Sequence, residues 1–232
     1  FFSGSGFLDL GFELNGFEIS LVNEFSTSFM NAYKYSREKM ELSKPKYGYF
    51  NTDINAFLTS KSYELMEYIK DAKSDGSLVG FIGGPPCPDF SVAGKQRGRN
   101  GDNGKLSLSY IALIIKQQPD FFLFENVKGL WKTAKHREFF EELKSMLSKS
   151  GYIMTERLTN ALEFGAPQDR DRILLFGIHS RLIDKNVPSK QRKTFLSDAF
   201  NWTKYASYSL DDIKAYNWPT QESFVLDSQT SC

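Results

Sequence analysis

The chain is expected to be an α/β protein built on a doubly wound, mostly parallel sheet. Apolar runs at residues 79–82, 121–124 and 173–178 have the length and content of buried strands. Between them lie stretches with helical apolar spacing, such as Leu106, Tyr110, Leu113 and Ile114. The alternation runs from the start of the chain to about residue 180, as a parallel sheet with helical crossovers requires.

Bulk properties set the bounds. The 232 residues can bury a sizeable core, and 41% hydrophobic with 25% charged residues is ordinary for a soluble globular chain. A formal charge of +1 gives no global footprint for nucleic acid, so any such contact must rest on local patches. The two cysteines, Cys87 and Cys232, are too few for a disulfide framework and fit a reducing compartment. No apolar run approaches membrane-spanning length and no signal-peptide pattern opens the sequence.

Phe1-Phe2-Ser3-Gly4-Ser5-Gly6 is expected to end a strand and turn into a helix whose face carries Leu10 and Leu14. Gly4 and Gly6 let backbone approach a ligand without a β-carbon in the way, and the helix start offers free N–H groups. Residues 17–24 form a second expected strand ending in Glu24, placed to bind the two hydroxyls of a ribose. Residues 50–54 form a third, bringing Asp53 to accept from an adenine amino group. Together these residues describe an adenosine-binding edge. A dinucleotide would fit nearly as well, although the Gly turn lacks the full G-x-G-x-x-G spacing.

The strand at 79–82 leads into Gly83-Gly84-Pro85-Pro86-Cys87-Pro88-Asp89-Phe90-Ser91. A cysteine usually serves as a small buried hydrophobe. Three prolines instead leave Cys87 few backbone states, at the carboxyl end of a strand, where open α/β sheets carry their chemistry. The Gly- and Lys/Arg-rich residues 94–105 follow, and beside a candidate nucleophile they are expected to close over a phosphate backbone.

Residues 121–124 deliver Glu125-Asn126-Val127 to the same crevice. A carboxyl on so apolar a strand is expensive unless paired or partly protonated, and such tuning suits a general acid. Residues 134–150 read as a helix with a core stripe of Phe139, Leu143, Met146 and Leu147. Strands are expected at 152–158 and 173–178, joined through Gln168-Asp169-Arg170-Asp171-Arg172. Alternation places the Arg170 and Arg172 guanidiniums on one face, suited to a carbonyl oxygen or a phosphate. His136 and His179 show no metal-ligand spacing. Beyond residue 180, aromatics such as Phe200 and Trp202 complete the core or stack on bases, the first being favoured.

These stretches, in this order, resemble the DNA cytosine-5 methyltransferase family. The resemblance covers residues 1 to about 180 and implies a Rossmann-like S-adenosylmethionine methyltransferase fold with an antiparallel last strand. It implies a cofactor site of Phe2, Ser3, Gly4, Gly6, Glu24, Phe25, Asp53, Ile54, Pro86 and Leu106. It implies that Cys87 attacks C6 of a flipped-out cytosine, Glu125 binds N3 and the exocyclic amine, and Arg172, beside Arg170, holds O2. It makes double-stranded DNA the partner, with Ser91, Lys95, Gln96, Arg97 and Arg99 as contacts, and needs no metal.

Family members continue into a target-recognition region and two further motifs that cannot be placed here. The chain is therefore expected to be a fragment or incomplete, with a catalytic domain at 1–180 and a C-terminal extension at 181–232. The remainder of the protein or a partner would supply recognition. The resemblance makes bacterial restriction-modification the expected setting, and the cytoplasm the expected location. The competing readings are a catalytically silent DNA- or protein-binding relative, an RNA cytosine methyltransferase and, more distantly, a nicotinamide oxidoreductase.

Overall fold

The apolar run at 121–124 forms the centre of the sheet. In the computed structural model, which describes residues 1–86, 102–132, 134–204 and 206–211, it becomes strand β4 (Phe121–Val127). On one side β4 pairs in parallel with β3 (Gly80–Gly83). On the other it pairs antiparallel with β6 (Asp171–His179), which is itself antiparallel to β5 (Tyr152–Asn160). The order is β3-β4-β6-β5, so the last strand in sequence runs against its neighbours from an interior position. A smaller parallel pair joins β1 (Val22–Asn23) to β2 (Tyr49–Phe50).

Residues 1–3 connect the two sheets. The Phe1 nitrogen donates to the Ile82 carbonyl at 2.8 Å, and the Ser3 amide donates to the Asn23 carbonyl at 3.2 Å. The carboxyl ends of β1, β2, β3 and β4 therefore line one edge, together with the start of the reversed β6.

Helices cover both faces. Phe122 and Phe124 pack toward α4 (Asp102–Gln117) and α6 (Ala134–Lys149), with the short α5 (Gly129–Lys132) leading into α6; Tyr110 stacks on Phe124 and Phe140 lies against it. α3 (Ser62–Ala72) contributes Leu65 to the same core. A separate cluster of Val22, Met30 and Tyr33 seats α2 (Thr27–Lys39) against β1. On β4's other face Phe121 meets Phe17 and Phe176; Phe176 continues to Phe200 and Trp202, beyond helix α7 (Ser189–Ala199). Those two late aromatics thus complete packing on the sheet. Tyr205, Tyr216, Trp218 and Phe224 lie outside the described residues.

Several expected elements differ. The second strand pairs only over Val22–Asn23, because Phe17 turns away to pack on Phe12 and Phe121. The third ends at Phe50; Asp53 instead caps a 3-10 turn, Ile54–Leu58, by accepting from the Asn55 amide at 2.7 Å. Helix α1 (Phe7–Glu13) stops before the expected Leu10/Leu14 face is complete: Leu14 is 72% exposed, and the residue α1 buries is Asp9.

Buried Asp120 fixes the amino-terminal edge of the sheet. Its carboxylate accepts from the Val79 amide at 2.9 Å and from Arg181 Nη2 at 2.7 Å, and pairs with Lys73 at 2.8 Å. Its backbone pairs with Val79 on one side and His179 on the other. Burial pushes this carboxyl up, but hydrogen bonds from Lys73, the Val79 amide and Arg181 outweigh that and hold it below the ordinary aspartate range. A depressed carboxyl stabilises the fold above its unfolded pKa, near 3.9, and loses that contribution as pH falls through the folded value. Asp120→Asn is expected to lower unfolding free energy at pH 7 by about 1.5 kcal/mol, a discounted figure because Lys73 and Arg181 are partly solvated. Urea melts at pH 7 and pH 3 should show that difference shrinking in acid; an equal difference at both would remove the charge from the explanation.

Candidate active site

The reversed direction of β6 builds the centre of the site. Pairing Val127 with Arg172 and Glu125 with Leu174 brings the start of β6 to the carboxyl end of β4. The Arg172 Nε then lies 2.8 Å from Glu125 Oε1, with each side chain about a quarter exposed. Pairing offsets the cost of a carboxylate at the end of an apolar strand. A charge-assisted contact of this kind also fixes which way the carboxylate faces.

The turn after β3 lies directly on that carboxylate. A β-carbon on Gly84 would stand 2.8 Å from Glu125 Oε2, so only glycine leaves Glu125 where it is. Asn126, 1% exposed, donates to the Pro85 carbonyl at 3.3 Å and accepts from the Val127 amide at 2.8 Å. β4 thereby holds the Pro85-Pro86 segment in place. Cys87, Ser91, Lys95, Gln96, Arg97 and Arg99 lie outside the described residues.

Arg170 does not join this cluster. It precedes β6 and is exposed, while its carbonyl accepts from the Ala161 amide at 3.1 Å. Buried Asn160 ties the same turn through Asp169 at 2.6 Å and Asp171 at 3.0 Å. Asp171 also pairs with Lys128, whose ammonium is raised by that hydrogen bond. Sequence reasoning brought Asn126 to the crevice without giving it a role, and it missed Asn160. Asn126 had a signal, its place beside Glu125 at a strand end; Asn160 had none, because its partners lie across a turn.

The second half of the edge gathers around Glu24. One carboxylate oxygen accepts from the Gly4 amide at 2.9 Å, the other from the Ser26 amide at 2.8 Å. Asn51 donates to the carbonyls of Glu24 and Phe25, both at 2.8 Å. Gly4 has φ +54° with no atom within 4 Å of a would-be β-carbon, leaving open space above the turn. Gly6 differs: at φ +89° its β-carbon would meet the Tyr33 ring at 2.6 Å, so it is required by packing. Phe25 is 72% exposed beside this opening, and Asp53 is also exposed. The Ser3 hydroxyl is buried without a hydrogen-bond partner among the described residues. Phe2 is half-buried edge-on to Tyr110, Ile54 is buried, Leu106 is half-buried and Pro86 is exposed.

An open Gly turn, an orphaned hydroxyl, an exposed ring, a carboxylate just past β1 and another at the start of a 3-10 turn fit a nucleoside-bearing cofactor. A cavity of about 570 Å³ lies at the opposite, amino-terminal edge, lined in part by Phe12, Phe17, Leu65 and Ile69. It contains neither Glu24 nor Glu125, so volume alone does not mark the site. Among the described residues no helix is long and apolar enough to cross a membrane, and no group of three or more His, Cys, Asp and Glu could hold a metal ion.

The family model of the C-5 cytosine-specific DNA methylases matches residues 1–230. The chain belongs to this family. Among curated methylases, the Type II methyltransferase M.NmeDI of Neisseria meningitidis serogroup C is 54% identical over 223 residues, covering 96% of this chain and 50% of the relative. M.FnuDI of Fusobacterium nucleatum is 36% identical, covering 85% and 53%. The chain thus spans about half the length of the curated relatives it matches. Among solved structures, a protein described as a DNA modification methyltransferase encoded within an E. coli prophage superposes with a TM-score of 0.60 at 26% identity, covering 78% of this chain and 46% of that one.

At the turn after β3, Gly84→Ala gives a direct test. The clashing atom is the free end of a flexible side chain, so the fold should lose less than about 1 kcal/mol. A crystal structure of the variant is expected to show Glu125 swung away from Arg172. An unmoved pair would mean that the turn does not set the carboxylate's position.

Proposed function

We propose that the protein containing this chain methylates C5 of a flipped-out cytosine in double-stranded DNA through a covalent Cys87 adduct. The carrying observation is that the Gly84-Pro85 turn lies against Glu125 and Asn126, with Arg172 holding the Glu125 carboxylate. Cys87 follows Gly84 by three residues, at most about 11 Å of chain. The acid and the guanidinium are in contact, and the short chain from Gly84 to Cys87 supports a nucleophile joining them around one pyrimidine ring.

Each group answers a different difficulty of the reaction. Cytosine is a poor electrophile at C6. Glu125 binds N3 and the exocyclic amine and supplies the proton that lets charge develop on the ring. Arg172, whose Nε already holds the carboxylate, directs its remaining N–H groups to the O2 carbonyl. The Cys87 thiolate adds at C6, which makes C5 nucleophilic enough to take a methyl group; the methylated C5 then gives its proton to a water or hydroxide base, the thiolate is expelled and the N3 proton returns to Glu125. Arg170, exposed and two residues before Arg172, would add positive charge that favours the thiolate.

S-adenosylmethionine, when bound, supplies the electrophilic methyl. Phe2, Ser3, Gly4 and Gly6 would cradle it with Glu24 at the ribose, Phe25 and Ile54 at the adenine faces, Asp53 at its amine, and Pro86 and Leu106 closing the cytosine side. Ser91, Lys95, Gln96, Arg97 and Arg99 would contact the DNA backbone. Sequence recognition would come from the half of the protein beyond this chain, or from a partner, with residues 1–180 as the catalytic domain and 181–232 leading toward that region. The names of the relatives favour a restriction-modification setting.

In the full-length protein, Cys87→Ser is expected to abolish methyl transfer and the stable adduct with duplex DNA carrying 5-fluorocytosine. Glu125→Gln should slow transfer roughly 10²- to 10⁴-fold while cofactor binding persists. Near-normal turnover by Cys87→Ser would rule out the covalent route, and methylation of RNA in preference to DNA would rule out the substrate.

A further inference from the structure

We propose that Arg37 is a positioning residue that locks the Gly4-Ser5-Gly6 turn in its ligand-binding shape; this rests on the cofactor reading above. Arg37 lies in the last turn of α2, 31 residues beyond Gly6, and is 3% exposed. Its Nη2 donates to the Gly6 carbonyl at 2.7 Å, and its Nε pairs with Glu13 of α1 at 2.8 Å. Its guanidinium lies 4.4 Å from the centre of the Tyr33 ring, and Tyr33 fills the space a side chain on Gly6 would need.

Burying a guanidinium is costly unless it is paired, and here Nε faces the Glu13 carboxylate as an ion pair, Nη1 donates to the Ser36 hydroxyl at 3.4 Å and Nη2 is given to the turn. Gly6 is the residue before α1 and has no side chain to cap that helix. Its carbonyl takes the Leu10 amide and Arg37 together, so the left-handed Gly6 conformation is held from outside the turn. The other end is held as well: Glu24, just ahead of α2, accepts from the Gly4 amide and from Ser26. Segments at the two ends of α2 thus grip the turn at its first glycine's N–H and its second glycine's C=O. Neither Arg37 nor Glu13 lines the open space above Gly4, so the effect on a ligand is transmitted through backbone geometry.

The test uses the full-length protein with S-adenosylmethionine and duplex DNA. Arg37→Met is expected to raise the KM and Kd for S-adenosylmethionine about tenfold while kcat at saturating cofactor stays within about threefold. Arg37→Lys, which keeps one donor, should recover part of the affinity. Glu13→Gln, which removes the charge paired with Nε, should raise KM about threefold and serves if Arg37→Met does not fold. Binding is measured at a temperature below each variant's unfolding transition, so that lost stability alone would leave Kd unchanged. If the unaltered protein binds S-adenosylmethionine and these variants match it within twofold, the positioning role is overturned and the cofactor reading stands. If the unaltered protein does not bind it, the cofactor reading fails and the proposal with it.

Discussion

The Glu125–Arg172 contact depends on one strand running backwards. β4 is too apolar to end in a lone carboxylate, and a parallel neighbour would bring its carboxyl end, not its start, to that edge. Because β6 is antiparallel, its second residue stands opposite Val127 and its guanidinium reaches Glu125. The same edge then receives the turn after β3, which glycine at 84 allows to lie flat on the carboxylate. Sheet topology, more than any local motif, brings together residues 84, 125 and 172.

The edge divides into two halves with different designs. Around Glu125 the fixed elements are strands and the tether is Asn126, buried and bonded to the Pro85 carbonyl. Around Glu24 the fixed element is α2, with carboxylate and guanidinium acting on the Gly turn. In both halves a buried polar side chain holds a backbone group that would otherwise move. Such tethers are effective because leaving them half-satisfied in the interior is costly.

Much of this was legible in the sequence. The apolar run at 121–124 announced a buried strand, and Glu125 stood out because nothing else in that strand was charged. Gly4, Gly6 and Glu24 were legible from their spacing, although the reason for Gly6 was not: it makes room for Tyr33. Where a residue's role is fixed by a distant partner, local pattern failed. Asp120 looks like a loop acid, Arg37 looks like one charge in a solvated Arg-Glu-Lys run, and Asn160 looks like a strand end. Strand lengths near the amino terminus were overestimated because Phe17 and Ile54 are apolar for packing outside the ladder. Alternation placed Arg170 and Arg172 together, but β6 begins between them, so only Arg172 is fixed by the ladder.

The central claim is that a sulfur, a carboxyl and a guanidinium surround one pyrimidine beside a nucleoside-bearing cofactor. A crystal structure of the full-length protein with S-adenosylhomocysteine and duplex DNA carrying 5-fluorocytosine, trapped after methyl transfer, addresses it most directly. The expected result is a Cys87 sulfur bonded to C6, Glu125 within hydrogen-bond distance of N3 and the exocyclic amine, Arg172 on O2, and the ribose on Glu24. A ring bound with Glu125 or Arg172 out of reach, or a cofactor seated away from the Gly4 turn, would contradict it.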